Sequence, residues 1–275
     1  MQQLSFAGSI QVLILGLGWT GQFLQDLLLE QKVSFAATTR DGRNGTIPWT
    51  LTDTPDVSSL PWAQTVLVTF PVLSADTMSQ LIEEYTSKKG PSHWILLSST
   101  RVFSADPSDR HTPLDPSLDT GRLPAEHVVI QKKGTVLHLC GLWGGQRQPK
   151  NWMPRMNKPE SIKGKILTRQ LHLIHGKDVA RAIFAVHGQF TPGERWLISD
   201  QTATDWMKMF LVWGSKEQID TIEDLRHNDP ECREAIGDKG TLEEIVHKGG
   251  VKPRLNSDEF WSTFHLKPQE FLEIV

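Results

Sequence analysis

Two cysteines and one tyrosine are the scarcest informative side chains in this sequence of 275 residues. Cys140 and Cys232 share no metal-ligand spacing, so neither a disulfide framework nor a metal centre is expected, and a reducing, cytoplasmic setting fits best. No charged-then-apolar leader precedes the first apolar run, and no run approaches the ~20 residues that cross a bilayer, so no membrane partner is expected. Neither sign of charge dominates. The 29 Lys and Arg stand against 32 Asp and Glu, and a net charge of −3 offers nucleic acid no general attraction. An RNA-binding protein finds no basic face to support it. Tandem repeats and low-complexity tracts are missing too. A hydrophobic content of 38% over this length is enough to bury a large core, as one domain or as a domain with a smaller lobe.

The most informative stretch runs from Ile10 to Gln22, Ile-Gln-Val-Leu-Ile-Leu-Gly-Leu-Gly-Trp-Thr-Gly-Gln. Val12 to Leu15 form an apolar run that suits one buried strand of a parallel sheet. Gly16, Gly18 and Gly21 then fall on the G-x-G-x-x-G spacing, with Leu17, Trp19 and Thr20 between them. Gly16 permits the tight turn, Gly18 lets backbone N–H groups approach a pyrophosphate, and Gly21 lets the next helix pack against the strand. Phe23, Leu24, Leu27 and Leu28 recur at helical spacing, so the helix turns an apolar stripe to the sheet and its positive end to the phosphates. Glycines alone fit an ordinary βα turn. Here strand, turn and helix all sit where dinucleotide binding needs them.

Val33 to Thr38 reads as a second strand, whose end selects between nicotinamide cofactors. An acidic group there accepts bonds from the ribose 2′-hydroxyl and repels a 2′-phosphate. This strand ends in Thr38, Thr39 and Arg40, with Arg43 three residues on, and guanidinium groups suit a 2′-phosphate, so NADP is the expected cofactor. Asp41 keeps NAD possible. Thr46 to Leu51 is a short extended piece broken by Pro48, and Thr65 to Phe70 is a clearer buried strand ended by Pro71. Phe70, Pro71 and Val72 are expected beside the cofactor cleft, which strand C-termini line in a doubly wound sheet. Ala75 to Lys88 reads as a helix burying Met78, Leu81, Ile82 and Tyr85. The tyrosine, at helical spacing among apolar neighbours, belongs to the core. His93 to Ser98 is the next strand and runs into Ser98-Ser99-Thr100-Arg101-Val102-Phe103.

Taken with the glycine corner, this last stretch resembles the extended short-chain dehydrogenase/reductases, the NAD(P)-dependent epimerase/dehydratase group, in which a strand ends in Ser-Ser followed by Val-Tyr. The resemblance spans about residues 8 to 200. It implies that Ser98 borders the cofactor and that Ser99 or Thr100 lies next to nicotinamide and substrate, although a turn cap would also use these hydroxyls. Members of the group carry a Tyr with a Lys four residues later, the Lys lowering the phenol pKa for proton transfer. This sequence has no Tyr after Tyr85. The segment in question reads Asp119-Thr120-Gly121-Arg122-Leu123-Pro124-Ala125-Glu126-His127 and looks like an atypical branch with a Gly-Arg-x-x-Ala-Glu helix. Arg122 and Glu126, at i and i+4, either face the cleft, as substrate-binding and catalytic groups, or pair with each other.

Thr135 to Cys140 is another strand, followed by Gly141-Leu142-Trp143-Gly144-Gly145, and the resemblance makes Leu142 to Arg147 a wall of the substrate cleft, with Trp143 and Arg147 as candidate contacts. From Arg147 to Lys165 the chain is rich in proline, asparagine and basic residues, with Trp152 and Met153 among them. It reads as a mobile lid, or as a site for an anionic or ring-bearing substrate. Ile166 to Ile174 reads as extended. Leu173-Ile174-His175-Gly176-Lys177-Asp178-Val179-Ala180 again resembles the group, and His175 titrates in the range useful for proton transfer, unless it serves to bond backbone at a strand-to-helix joint. Asp178 suits the first turn of a helix with Val179, Ala182, Ile183 and Val186 buried. Glu194 to Ser199 is a last strand, and Thr204 to Val212 a helix. Ser215 to Gly250 is charged, broken by Pro230, Gly237 and Gly249-Gly250, and without assignable likeness. Asn256 to Asp258 should cap a short helix, and Pro268 to Val275 should make a final turn.

The order of elements predicts an α/β fold, a doubly wound parallel sheet of the Rossmann type, with a smaller, mostly helical C-terminal lobe. Residues 8–145 are expected to form the NAD(P)-binding domain, and 146–275 a substrate lobe with some segments returning to the sheet. Two functions follow. One is an NAD(P)-dependent oxidoreductase or epimerase-like enzyme for a small polar molecule, with Ser99 or Thr100 on the substrate oxygen and Glu126, His175 or a water moving the proton. The other is a dinucleotide-binding sensor that has lost the chemistry. A homodimer is possible in either case.

Overall fold

The structure, a computed structural model, describes residues 9–248 and 250–275; Gly8 and Gly249 therefore lie outside the described residues. Seven parallel strands form the central sheet: β1 (Ile10–Leu15), β2 (Phe35–Thr39), β3 (Ile47–Pro48), β4 (Ala63–Val68), β5 (His93–Ser99), β6 (Thr135–Leu139) and, arriving late in the chain, the edge strand Arg195–Ile198. The chain steps from β1 outward to β2 and β3, then returns to lay β4 on the other side of β1 and continues outward through β5 and β6. That reversal between β1 and β4 leaves a crevice above the strand C-termini, where open α/β sheets bind ligands.

Strand periodicity divides the core into two layers. Val12 and Ile14 of β1 point to one face and Leu13 and Leu15 to the other, all four buried. Helix α1 (Trp19–Glu30) brings Leu24 and Leu28 to the first face, and α2 (Ala75–Lys89) and α3 (Leu123–Gln131) bring Met78, Leu81, Ala125 and Val129 to the second. Tyr85 of α2 is fully buried, its hydroxyl donating to the Pro61 carbonyl and accepting from Ala63 N–H.

Past β6 the chain builds the helical lobe. Here β7 (Gly141–Trp143) leads to a 3₁₀ segment, Pro149–Arg155, and to helix α4 (Pro159–Thr168); then come β8 (Gln170–Leu171) and β9 (Leu173–His175). Helix α5 (Gly176–Gly188) returns to pack beside α1, and the edge strand Arg195–Ile198, β10, pairs in parallel with β6. After β11 (Thr204–Asp205), helices α6 (Trp206–Trp213), α7 (Lys216–Asn228), α8 (Pro230–Ile236) and α9 (Leu242–Lys248) enclose Met153, Ile162, Ile166, Phe210 and Ile222. Short α10 (Asp258–Thr263) closes against Trp196 of β10. The doubly wound sheet and the helical lobe expected from the sequence are both present.

Two segments differ from expectation, and a third gains the structure that the sequence left unassigned. Ile166 to Thr168 is the end of α4 and not a strand, because Ile162 and Ile166, one turn apart, are buried together and Pro159 starts the helix. The unassigned 215–248 holds three helices, α7, α8 and α9: Ser215 and Gln218 form a reciprocal capping box on α7 and Asp229 caps α8. Pro268 to Val275 makes no regular turn. Its backbone is tied down instead by Asp178, a fully buried carboxylate that accepts from the N–H groups of Gln269 and Glu270 at 2.9 Å and from Arg181.

Candidate functional site

The corner between β1 and α1 is held from both sides. Thr38 of β2 accepts from Gly16 N–H through its hydroxyl at 2.9 Å and from Leu17 N–H through its carbonyl at 2.7 Å, while the Thr69 hydroxyl donates to the Gly16 carbonyl at 2.6 Å. Gly16 has φ +92°, and a Cβ there would lie 2.8 Å from Phe70 and from Thr69. At Gly21 a Cβ would press on Leu17 and Ile14, so this glycine sets how closely α1 meets β1. Gly18 is different: a Cβ would meet nothing within 4 Å. The space it would fill lies at the start of α1, where no side chain caps the helix and no acid sits in the first turn. Gly18 N–H closes the corner onto the Gly16 carbonyl at 2.8 Å, and the first-turn N–H groups of α1, from Trp19 on, face an open pocket with the helix dipole.

That pocket is a cleft of about 970 Å³ above the strand ends. Gly16, Leu17, Gly18, Trp19 and Thr20 form one wall, and Phe70, Pro71 and Ser98 line it further along. At the β2 end it is bordered by Thr39, Arg40, Asp41 and Arg43. The Asp41 carboxylate is 3.5 Å from Arg43, and its pKa is lowered chiefly by a hydrogen bond from Thr39. Arg40 has no ion pair among the described residues. Trp49, which sequence reasoning passed over, is buried against this end with its indole N–H on the Asp56 carbonyl. Only its position after a proline-broken strand hinted at such a place.

A second cavity, about 590 Å³, shares Ser98, Arg122, Leu142 and Arg147 with the first. Ser99 lines it, as do Asn151, Trp152 and Arg155 of the 3₁₀ segment. Three guanidinium groups, Arg122, Arg147 and Arg155, border this chamber, and among the described residues no aspartate or glutamate does. None of the three has an ion pair among the described residues, in a chain whose net charge is −3. Arg147 is presented by a turn in which Gly144 and Arg147 exchange backbone hydrogen bonds at 2.9 and 3.0 Å. Its guanidinium lies 4.6 Å from the Trp19 ring centroid, and Trp19 in turn donates to the Gly144 carbonyl at 3.2 Å.

Several sequence-nominated residues stand behind these walls. Thr100 borders neither cavity; its hydroxyl faces the Leu139 carbonyl at 3.4 Å. His175 and Trp143 border neither cavity as well. His175 caps α5, accepting from Lys177 N–H at 3.2 Å, and its ring packs on Trp143 and Phe23 where a Cβ on Gly144 would overlap it. Burial pushes its pKa down. Glu126 does not pair with Arg122. It is buried on the inner side of α3, accepting from the Ser98 hydroxyl, with His138 of β6 3.5 Å away. His138 was missed by sequence reasoning; a histidine in the middle of a buried parallel strand is the signal that marks it.

Among the described residues, no group of three or more His, Cys, Asp or Glu is placed to hold a metal, and no helix is long and apolar enough to cross a membrane. No family model and no curated protein sequence matches the chain. Solved structures do resemble it. A functionally unknown conserved protein from Silicibacter pomeroyi is 16% identical with a TM-score of 0.64, covering 94% of this chain and 93% of that one. UDP-N-acetylglucosamine 4-epimerase from Bacillus cereus is 11% identical with a TM-score of 0.63, covering 95% and 94%. Yeast methylglyoxal/isovaleraldehyde reductase complexed with NADPH is 15% identical with a TM-score of 0.54, covering 96% and 94%. At these identities the likeness is one of fold.

Proposed function

We propose that this chain binds a nicotinamide dinucleotide, NADP in preference to NAD, and works as an oxidoreductase or epimerase-like enzyme of the extended short-chain dehydrogenase/reductase type on a small polar metabolite bearing an anionic group. The observation that carries the reading is the open space beside Gly18, at an uncapped helix start on the switch point of a doubly wound sheet. That the same fold occurs in an epimerase and in a reductase complexed with NADPH adds support.

A bound nicotinamide dinucleotide would supply hydride exchange with a substrate carbon. The chain's own residues do the rest. Backbone N–H groups at Trp19 and Thr20 hold a diphosphate, and Arg40 with Thr39 holds a 2′-phosphate, Asp41 being engaged by Arg43. Ser98 and Ser99 present hydroxyls to a substrate oxygen, and Arg122, Arg147 and Arg155 hold its anionic end. The missing tyrosine favours a second reading, a dinucleotide-binding sensor without turnover. Calorimetric titration with NADPH and NADH tests the binding, and a panel of anionic carbonyl and alcohol compounds separates enzyme from sensor. Tight NADPH binding with no redox change across that panel selects the sensor; no binding of either cofactor removes both.

A further inference from the structure

Beneath the floor shared by the two cavities, a polar chain runs inward from Ser98 to Glu126 and His138. Ser98, at the end of β5, donates its hydroxyl to Glu126 Oε1. Glu126 Oε2 faces His138 Nε2 at 3.5 Å, and neither atom has another hydrogen-bond partner although both are buried. His138 Nδ1 faces the Ser99 carbonyl at 3.0 Å. Phe103 closes the ring in edge-on, at 5.1 Å between centroids. His138 is fully buried, Glu126 is 1% exposed and Ser98 6% exposed.

Counting protons in this chain leaves little freedom. A carbonyl oxygen only accepts, so Nδ1 of His138 carries a hydrogen. A neutral ring would then turn the lone pair of Nε2 toward a carboxylate oxygen, and two facing acceptors in a dry site would repel, each with its desolvation uncompensated. One proton between Oε2 and Nε2 removes the conflict, whichever atom carries it. The charged groups acting on His138 are Glu126 from α3, which favours its protonation, and Arg195 from the neighbouring strand β10, which opposes it; burial opposes it most.

We propose that Glu126 and His138 hold one shared proton and, through the Ser98 hydroxyl, form the proton-exchange route of the cleft, the task for which the resembled family uses a tyrosine. The inference rests on the dinucleotide reading above. Once the shared proton has left the pair for solvent, driven off by oxidised cofactor, a substrate O–H bond breaks as a bond forms to Ser98 Oγ, the original Ser98 O–H bond breaks, and a bond forms to Glu126 Oε1, so that the pair regains its single proton. The substrate carbon would give up a hydride, carrying both electrons of the broken C–H bond, to the oxidised nicotinamide, so carbinol becomes carbonyl. Carbonyl reduction runs the same bonds backward. Ser98 is the group that touches substrate; Glu126 and His138 act through it as positioning residues.

The test compares the native chain with Glu126→Gln. The amide keeps a donor for His138 and an acceptor for Ser98, but it holds no exchangeable acid proton. The folded pair holds one proton above pH 6.5 while the unfolded chain has released it, so the native melting temperature should fall with rising pH, relative to the variant, by about 3 °C per unit while the pair keeps that proton. In calorimetry repeated in buffers of different ionisation enthalpy, oxidised cofactor, with its cationic ring, should release more protons than reduced cofactor from the native chain, and this difference should vanish in Glu126→Gln. Parallel melting profiles, or equal release with both cofactors by the native chain, would overturn the proposal. Should the variant fail to fold, the melting comparison is made with His138→Gln. If neither cofactor binds, the dinucleotide reading fails and the relay with it, whereas the melting profiles of the unloaded chain still decide whether the pair holds its proton.

Discussion

The guanidinium of Arg147 rests on the indole of Trp19, 4.6 Å from ring centroid to Arg147 Cζ, although the two residues come from opposite halves of the chain. Trp19 opens α1 at the glycine corner, and Arg147 ends the tight turn that borders both cavities. One side chain therefore reaches the phosphate end of the cleft and the substrate chamber together. Arg147→Ala should weaken NADPH and NADH alike, each by about 1 kcal/mol, because the loss is of a cation beside a feature common to both. Calorimetric titration of both cofactors checks this, and selective loss of one would place Arg147 elsewhere.

Arg40 predicts the opposite pattern. Asp41 is occupied by Arg43 and Thr39, which leaves Arg40 as the cation at the β2 end without an ion pair among the described residues. Arg40→Ala should weaken NADPH by about 1 to 3 kcal/mol, the scale of a charge-assisted hydrogen bond, with NADH little changed. Equal loss for both would contradict the assignment of Arg40 to a 2′-phosphate.

Arg155 borders the smaller chamber and not the larger cleft. Arg155→Glu should therefore leave NADPH affinity unaltered and weaken small phosphate- or carboxylate-bearing ligands at least several-fold, since it replaces an attractive charge by a repulsive one. Thermal-shift titration with glucose 6-phosphate against glucose, on the NADPH-saturated chain, gives the readout. An undiminished preference for the phosphate in Arg155→Glu would show that Arg155 does not hold it.

Asp200 sits behind the site and is 1% exposed, with Oδ2 lacking a partner and Oδ1 accepting from Thr202. Burial pushes its pKa up to about 6, with the Asp178 charge adding to the rise. A folded-state pKa above the unfolded value means that the folded chain binds the extra proton between about pH 4 and 6, so this group's contribution to stability falls across that window and stays unfavourable at neutral pH. Asp200→Asn should then raise stability at pH 7 by about 1 to 3 kcal/mol, with a smaller gain at pH 4. Urea unfolding at both pH values measures it; a loss at pH 7 would mean that the carboxylate has a partner worth keeping.

The parts of this fold that could be read from sequence are those where a local rule and the tertiary environment agree. Gly16 takes a positive φ that other residues would find strained, Gly18 faces open space and Gly21 is tightly packed, as their spacing implies. The strands of the central sheet were legible because burial on both faces leaves continuous apolar runs. Ile166 to Thr168 was misread for the same reason, since a short apolar run looks alike in a buried strand and at the end of a buried helix. Side-chain direction was the larger gap. Nothing in a one-dimensional spacing says that Glu126 turns inward to Ser98 and His138 while Arg122, one helical turn earlier, borders both cavities. The three arginines of the smaller chamber, likewise, converge only once α3, the Gly144 turn and the 3₁₀ segment are folded together.

The central claim is that the corner between β1 and α1 is built to receive a diphosphate, and Gly18→Val tests it most directly. A Cβ at Gly18 meets nothing within 4 Å and its φ is −87°, so the substitution should leave the melting temperature of the unloaded chain within about 2 °C of native. By filling the open space it should cut NADPH affinity at least tenfold, about the loss of one charge-assisted hydrogen bond. Unchanged affinity in a variant of native stability would contradict the account.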